Sequence, residues 1–294
     1  MIVQVYDEIA ANKRKTVMLI GAFVVLIGAL SYVAGIYFGD FTITIGALVG
    51  SLIYALVSYY SSSKAALAFN GAKEIQKSDD PRLWRIVENL AITNGMPMPK
   101  VYVMNDPALN AFATGRDPDH ASVAITTGLL KALEDNELEG VMAHELGHVK
   151  NYDIRVSMIV FGLVAIISIM ADIFLRVSIF GGRRNDKNSN GVMMVVGILA
   201  MVLAPLVAVL IQSAVSRKRE FLADATGALT TRYPEGLASA LEKIRDGGST
   251  MKKQNTSTAH LFFANPLSTK SFTKAFSTHP PVNDRIAKLR GMDQ

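Results

Sequence analysis

Four long, largely uncharged apolar runs constrain the fold of this 294-residue chain more than any other feature of its sequence. Half of the residues are hydrophobic and only 19% are charged, whereas about a quarter are charged in ordinary soluble domains. Each run exceeds the ~20 residues that a transmembrane helix requires. The sequence therefore predicts a multi-pass α-helical membrane protein, with spans at about 16–38, 41–61, 156–180 and 191–215.

The first and third runs each admit a second interpretation. The first could be a cleavable signal peptide, but the apolar part of such a peptide usually has only ~7–15 residues and is not followed at once by another span. The third contains Asp172 and Arg176, which can pair on one helix face or reach the headgroups. It could instead be a buried core helix or a hairpin that inserts only in part.

Basic residues beside the runs predict the orientation, because cytoplasmic flanks carry an excess of Lys and Arg. Residues 13–15 and 217–219 are all Lys or Arg, although the connection at 181–190 also contains three basic residues. Both termini are therefore expected in the cytoplasm. The segments outside the spans, 62–155 and 216–294, should then form one cytoplasmic domain.

The organisation expected from these runs has four parts. Residues 1–61 hold an N-terminal segment and a transmembrane hairpin, and residues 156–215 hold a second hairpin that interrupts the cytoplasmic domain. The domain itself has a mixed α+β pattern. The spacing predicts a helix at 81–95, strands at 100–104, 111–114 and 121–126, further helices up to about residue 245, and a polar mobile loop at 247–257.

The segment ELEGVMAHELGHVKNYD, residues 137–153, carries the clearest chemical signal. Its apolar residues have helical spacing, and Asn136 with Glu139 resembles the capping box that begins a helix. On such a helix His144 and His148 lie one turn apart on one face, where two neutral imidazoles can bind one ion. Glu145 can reach a water on that ion, so the segment has the H-E-x-x-H arrangement of zinc peptidases.

The other metal ligands must also be His or carboxylate, because the chain contains no cysteine. A catalytic zinc needs a third protein ligand and an open position, for which Glu220, Asp153, His260 and His279 are candidates. Glu220 follows the fourth run directly and has Asp224 one helical turn later. Such a pair can bind metal through the first carboxylate and orient an imidazole through the second, although Glu220 could instead pair with neighbouring basic residues.

Four motifs, HELGHVKNYD, SRKREFLADATGA, NAFATGRDPDHASVAITTGLL and STHPPVNDRIAKL, resemble those of the HtpX membrane zinc metalloproteases, which are distant relatives of the CAAX prenyl proteases. The resemblance runs essentially from end to end. It implies a zincin-like protease domain with one Zn²⁺ per chain, held by His144, His148 and Glu220. It also implies that Glu145 is catalytic and that Asp224 holds His144.

The same resemblance implies further roles and a setting. Asn110, Ala111 and Phe112 match a strand that flanks the active site and could receive an extended substrate, or they could belong to a core hairpin. His279 and Arg285 match positions near the zinc, where they could contact the substrate or the transition state, although His279 could equally be a turn residue. The family also implies stress-related quality control of membrane proteins in the bacterial cytoplasmic (inner) membrane.

Metal-assisted peptide hydrolysis is the expected reaction, with Glu145 as general base. Glu220 and His148 lie five and eight residues from apolar runs, or about 8 and 12 Å along a helix. The zinc should therefore lie near the cytoplasmic membrane face, and the substrates should be membrane proteins. Self-cleavage in the 247–257 loop is also plausible.

Two other classes of protein fit the sequence less well. A metal transporter or sensor would place its site among the spans, but His144 and Glu145 lie outside them. A catalytically inactive scaffold would not need Glu145. The metal itself stays open, because the two-His, one-carboxylate set also suits non-haem iron. No basic, aromatic-rich face suggests binding to nucleic acid.

Overall fold

The computed structural model describes residues 2–38, 41–180, 217–252, 258–266 and 280–292. The predicted fourth span, the basic connection at 181–190 and His279 lie outside these residues. The helices are α1 (Ile2–Phe38), α2 (Thr42–Phe69), α3 (Pro81–Asn94), α4 (Thr127–Ala132), α5 (Asp135–Lys150), α6 (Asp153–Phe180), α7 (Arg217–Thr231), α8 (Pro234–Gly247) and α9 (Val282–Arg290). The strands are β1 (Ala72–Glu74), β2 (Lys100–Met104), β3 (Ala111–Gly115) and β4 (Ala121–Thr126).

The first two helices form the antiparallel hairpin that the sequence predicts. The rings of Tyr32 and Phe41 lie 6.0 Å apart, and those of Phe23 and Tyr54 lie 6.5 Å apart. Contacts further along α2 are therefore made with residues nearer the start of α1, as expected for antiparallel helices. Both helices pack against α6, where the Tyr54 hydroxyl donates to the carbonyl of Gly162 at 2.6 Å. The α1–α2–α6 core is apolar and includes Phe23, Ile27, Ile159, Val160, Leu163 and Val164.

None of the helices in the described part of the chain combines the length and the apolar character needed to cross a membrane. The predicted spans at 16–38, 41–61 and 156–180 are therefore not confirmed, although each of these ranges is helical.

A four-stranded sheet has the order β1-β2-β4-β3. The pair β2–β4 is parallel, whereas β1–β2 and β3–β4 are antiparallel. The three predicted strands are confirmed, but β1 has only three residues, too few to show a period-two pattern. Among the residues that the structure describes, β3 pairs with a strand on one side only, so it is an edge of this sheet, and α5 packs against it.

The helix that carries the H-E-x-x-H segment is the centre of the remaining core. Val141, Met142 and Leu146 of α5 are fully buried, and α5 packs against α3, α7 and α8. The helix α7 approaches closely at Gly227, where a Cβ atom would lie 3.0 Å from the backbone nitrogen of His144. This approach brings the side chains of α7 to the histidines of α5.

The predicted N-terminus of this helix is wrong by two residues, because the sequence places the N-cap at Asn136. The structure has Glu134 as N-cap, and Glu137, not Glu139, completes the capping box by accepting the backbone N–H of Glu134 at 2.8 Å. Glu137 also accepts hydrogen bonds from Ser239 at 2.6 Å and from Lys243 at 2.7 Å, both on α8. These tertiary contacts favour the earlier start, and local sequence does not reveal them.

Candidate metal centre

Three potential ligand atoms converge where α5 meets α7. The Nε2 atoms of His144 and His148 lie 3.1 Å apart, and the Glu220 carboxylate oxygens lie 3.8 Å from the first and 3.5 Å from the second. A tetrahedral site with metal–ligand bonds of ~2.0–2.1 Å separates its ligand atoms by about 3.3 Å. The observed separations therefore fit one zinc-sized ion.

This trio is the one group of three metal-binding side chains found among the described residues. Of the other candidates for third ligand, Asp153 contacts His148 from behind at Nδ1, 3.0 Å away. His260 directs Nε2 to the carbonyl of Ser157 at 3.2 Å. The position of His279 is not described. The geometry thus favours Glu220 among the described candidates.

Each histidine is held at its second nitrogen by a carboxylate. Asp224 Oδ1 lies 2.9 Å from Nδ1 of His144, as the family resemblance implies, and Asp153 Oδ2 lies 3.0 Å from Nδ1 of His148. A carboxylate on Nδ1 fixes both the ring orientation and the tautomer, and it makes the other nitrogen a better ligand. The role of Asp153 was not predicted, because its spacing offered it only as a ligand.

Arg285 supports the centre by binding the carboxylate that holds His144. Its side chain is 1% exposed and binds both oxygens of Asp224, with Nη2 2.6 Å from Oδ1 and Nε 2.8 Å from Oδ2. Its Nη1 lies 3.8 Å from Glu220. A cavity opens beside the three ligands, and Arg285 is not among the residues that line it. Its geometry therefore supports a positioning role more than the predicted contact with substrate.

Asp224 and Arg285 each stabilise the charged form of the other. Burial alone would raise the pKa of Asp224, but the charge of Arg285 and the hydrogen bond to His144 outweigh burial and lower the pKa below its ordinary value. Burial likewise opposes the charged form of Arg285, yet Asp224 raises the pKa of that guanidinium. Asp224 therefore remains an ionised acceptor for His144.

The two histidines differ in their protonation. Burial lowers the pKa of His144 to about 4. Burial also acts to lower the pKa of His148, but the hydrogen bond to Asp153 and the charge of Glu220 outweigh it and raise that pKa to about 9. A metal ion would bind His144 in the form it already has, and it would displace a proton from His148.

Glu145 lies beside the trio and is only 2% exposed. Burial raises the pKa of its carboxyl group to about 7 and the charge of Glu220 adds to that effect, while the charge of His148 opposes it. The backbone N–H of Ala113, on the edge strand β3, donates to it. A buried carboxyl group with a pKa near 7 suits general acid–base catalysis at neutral pH.

A cavity opens over these residues, between the edge of β3 and the segment 258–266. Ala113 and Glu145 line one part of it, and residues 260–263 of that segment line another. The N–H of Phe263 donates to the carbonyl of Ala111 at 2.8 Å, and the Phe263 ring lies 5.0 Å from the ring of His144. In the sequence, residues 260–267 are a mainly apolar stretch within a polar region, and that pattern alone does not indicate a place in the site.

Asn110 and Phe112 flank this arrangement and do not line the cavity. The fully buried Asn110 side chain donates to the carbonyl of Ala264 at 2.8 Å and accepts the N–H of Ala264 at 3.1 Å. The Phe112 ring packs edge-on against Phe262, with centroids 5.0 Å apart. Both residues thus fasten segment 258–266 to β3, and of the strand only Ala113 reaches the cavity.

Comparisons with known proteins agree with this geometry. Residues 77–293 match the model of Peptidase family M48. A "Protease HtpX homolog" of Tropheryma whipplei (strain Twist) is 51% identical over 288 residues, which cover 98% of both chains. Another from Dictyoglomus turgidum (strain DSM 6724 / Z-1310) is 42% identical, over 98% of this chain and 95% of the relative.

A solved structure resembles the fold. The crystal structure of S. mikatae Ste24p matches 98% of this chain and 67% of its own chain, with a TM-score of 0.50 and 18% sequence identity. At that identity the likeness concerns the fold alone.

Proposed function

This chain belongs to peptidase family M48, among the HtpX-type proteases, and from that premise we propose that it is a membrane-bound zinc endopeptidase. The observation that carries the proposal is the convergence of His144, His148 and Glu220 at tetrahedral spacing beside the buried carboxyl group of Glu145. Two His and one Glu with an open position form the ligand set of catalytic zinc in proteases.

The residues of the site divide the work of hydrolysis. A zinc ion held by His144, His148 and Glu220 would supply Lewis-acid chemistry at the scissile carbonyl and a lowered pKa for a bound water. Glu145 takes the proton of the attacking water at its carboxylate as the C–O bond forms. It then gives that proton to the leaving nitrogen as the C–N bond breaks. Asp224 and Asp153 keep the two imidazoles oriented throughout.

The substrate chain is proposed to lie along the cavity at the outer edge of β3. An unpaired strand edge can accept an extended peptide through main-chain hydrogen bonds. The carbonyl of Ala111 already accepts the N–H of Phe263, so we propose that the substrate pairs at Ala113, where it would compete for the N–H that donates to Glu145.

The proposed location is the bacterial cytoplasmic membrane, with the site on the cytoplasmic side. Two observations support it: the uncharged sequence from residue 16 to residue 39 and again from 41 to 63, and the apolar surface of α1 and α2. Large apolar side chains on both helices are more than half exposed, which is unfavourable in water over so large a patch. They include Val17, Met18, Val25, Ile45, Leu52 and Leu56.

The substrates are proposed to be misfolded or damaged membrane proteins, cut in segments near the bilayer, and self-cleavage at 247–257 would use the same site. A reporter peptide fused to a membrane anchor should be cleaved at least about tenfold faster than the free peptide in the same vesicles, because tethering raises its effective concentration. Initial rates for the two forms at matched total concentration give the ratio. Equal rates would remove the support for membrane substrates.

The assignment of the third ligand has its own test. Glu220→Ala should lower Zn²⁺ affinity by more than the ~10–100-fold that loss of an outer partner costs, because it removes a ligand directly. His279→Ala should leave the affinity of the detergent-purified chain within about twofold of the wild type, well below that outer-partner cost. The reverse result, with metal lost from the His279 variant alone, would overturn the ligand set.

A further inference from the structure

The turn between α5 and α6 is strained at the point where it sets the orientation of a metal ligand. Tyr152 has φ = 60°, in the left-handed region that few non-glycine residues adopt. Asp153 follows at once, begins α6, and places Oδ2 3.0 Å from Nδ1 of His148. A strained backbone persists only where the surrounding structure holds it in place. The contacts that hold this turn therefore also fix the position of Asp153.

The first helix of the chain supplies those contacts. Asn12, on α1, is 3% exposed. Its Nδ2 donates to the backbone carbonyl of Asn151 at 2.9 Å and to Oδ1 of Asp153 at 2.8 Å. The next residue, Lys13, places Nζ 4.7 Å from the centre of the Tyr152 ring. Residues remote in sequence thus hold the strained turn and the carboxylate together.

The two oxygens of Asp153 therefore have separate tasks. Oδ1 is held by Asn12 and lies 3.4 Å from Nη1 of Arg219, the residue before Glu220 on α7. Oδ2 faces His148. With Oδ1 fixed, the carboxylate cannot rotate away from the imidazole without breaking a buried hydrogen bond, which is unfavourable because it leaves a buried polar group unsatisfied.

We propose that Asn12 is a positioning residue for the metal centre, acting on His148 through Asp153. The inference rests on the proposed function, because it takes His148 to be a metal ligand. It makes the N-terminal helix part of the metal site, so a displacement of α1 from the α5–α6 turn would weaken metal binding without any change in the three ligands.

The test measures metal affinity in the full-length chain in detergent, by competition between the protein and a chromophoric chelator for Zn²⁺. Asn12→Ala should weaken binding about tenfold, the lower end of the range for an outer partner, and Asp153→Ala at least as much. The double variant should match Asp153→Ala alone, because residues that act in series are not additive. Absorption of bound Co²⁺ should change in the Asn12 and Asp153 variants alike.

Thr16→Val is the matched control. Thr16 lies one turn further along α1, is 5% exposed, and its hydroxyl donates to the carbonyl of Asn12 within the helix. This variant should bind Zn²⁺ as the wild type does, within about twofold, well below the cost of losing an outer partner. Should Asn12→Ala fail to fold, judged by circular dichroism of the metal-free chain, Asn12→Leu replaces it, since it keeps a similar shape and removes the donor without adding a charge.

The possible results separate the role of Asn12 from the proposed function. Wild-type Zn²⁺ affinity in the folded Asn12 variant, or fully additive losses in the double variant, would overturn the role of Asn12 and leave the proposed function intact. A folded wild-type chain that binds no Zn²⁺ would refute the proposed function itself.

Discussion

Replacing Glu145 by Gln should abolish proteolysis while the chain still binds its metal. Glutamine keeps the shape of the side chain but cannot take up the proton of the attacking water. General acid–base catalysis contributes about 10²–10⁴-fold, so the rate of peptide hydrolysis should fall by at least about 100-fold. Zn²⁺ affinity should change little, because Glu145 is not among the three converging ligands. Initial rates and metal content of the same preparation measure both expectations.

Glu139→Gln provides the control, with the same substitution on the same helix at a residue that does not line the cavity. It should retain wild-type activity. A Glu145→Gln variant that keeps more than about a tenth of the wild-type rate, against the loss expected for a general base, would mean that another group takes the proton.

Arg285→Leu should destabilise the chain by about 3–5 kcal/mol, the usual cost of removing one partner from a buried ion pair. The substitution leaves Asp224, 2% exposed, without its bidentate partner, and it removes the positive charge near Glu220. Both buried carboxylates would then lose the positive charge of Arg285 and keep their contacts with the two histidines. Denaturant unfolding of the metal-free chain in detergent measures the loss of free energy, and Zn²⁺ affinity should fall with it.

Arg290→Leu is the matched control on the same helix, α9. Arg290 pairs with Glu235 and Glu242 at the surface, where ion pairs contribute little, so the midpoint of unfolding should scarcely move. The alternative role of Arg285, contact with the substrate, gives a different pattern. An Arg285→Leu chain with unchanged stability and metal affinity but a raised KM would support that role and contradict ours.

Much of the metal site is determined by local spacing, and the sequence therefore predicts it well. The positions of His144 and His148 depend only on α5 being a helix, and the structure confirms that helix. The spacing of Glu220 and Asp224 predicts that the second carboxylate orients an imidazole, and the family resemblance identifies that imidazole as His144. The strands β2 and β4 are likewise short apolar runs bounded by turn residues.

The remainder depends on contacts between distant parts of the chain, which no local pattern contains. Asp153 is of a residue type that binds metal ions, so the sequence offers it as a ligand. The turn at Tyr152 instead directs its carboxylate to Nδ1 of His148. Asn12 lies 141 positions before Asp153, within α1, and nothing in the sequence around it indicates a contact with the metal site. The segment 258–266 is held beside the cavity by hydrogen bonds with Asn110, for which the family resemblance implied a contact with substrate.

The most direct test of the central claim is a zinc titration of proteolysis. The full-length chain is purified in detergent under chelation, Zn²⁺ is added stepwise, and the digestion of an unfolded protein is followed beside the Glu145→Gln variant. The account predicts no cleavage without metal, a rise that ends at one Zn²⁺ per chain, and no cleavage by the variant at any step. Cleavage by the metal-free chain, or none by a folded wild-type chain loaded with zinc, would contradict it.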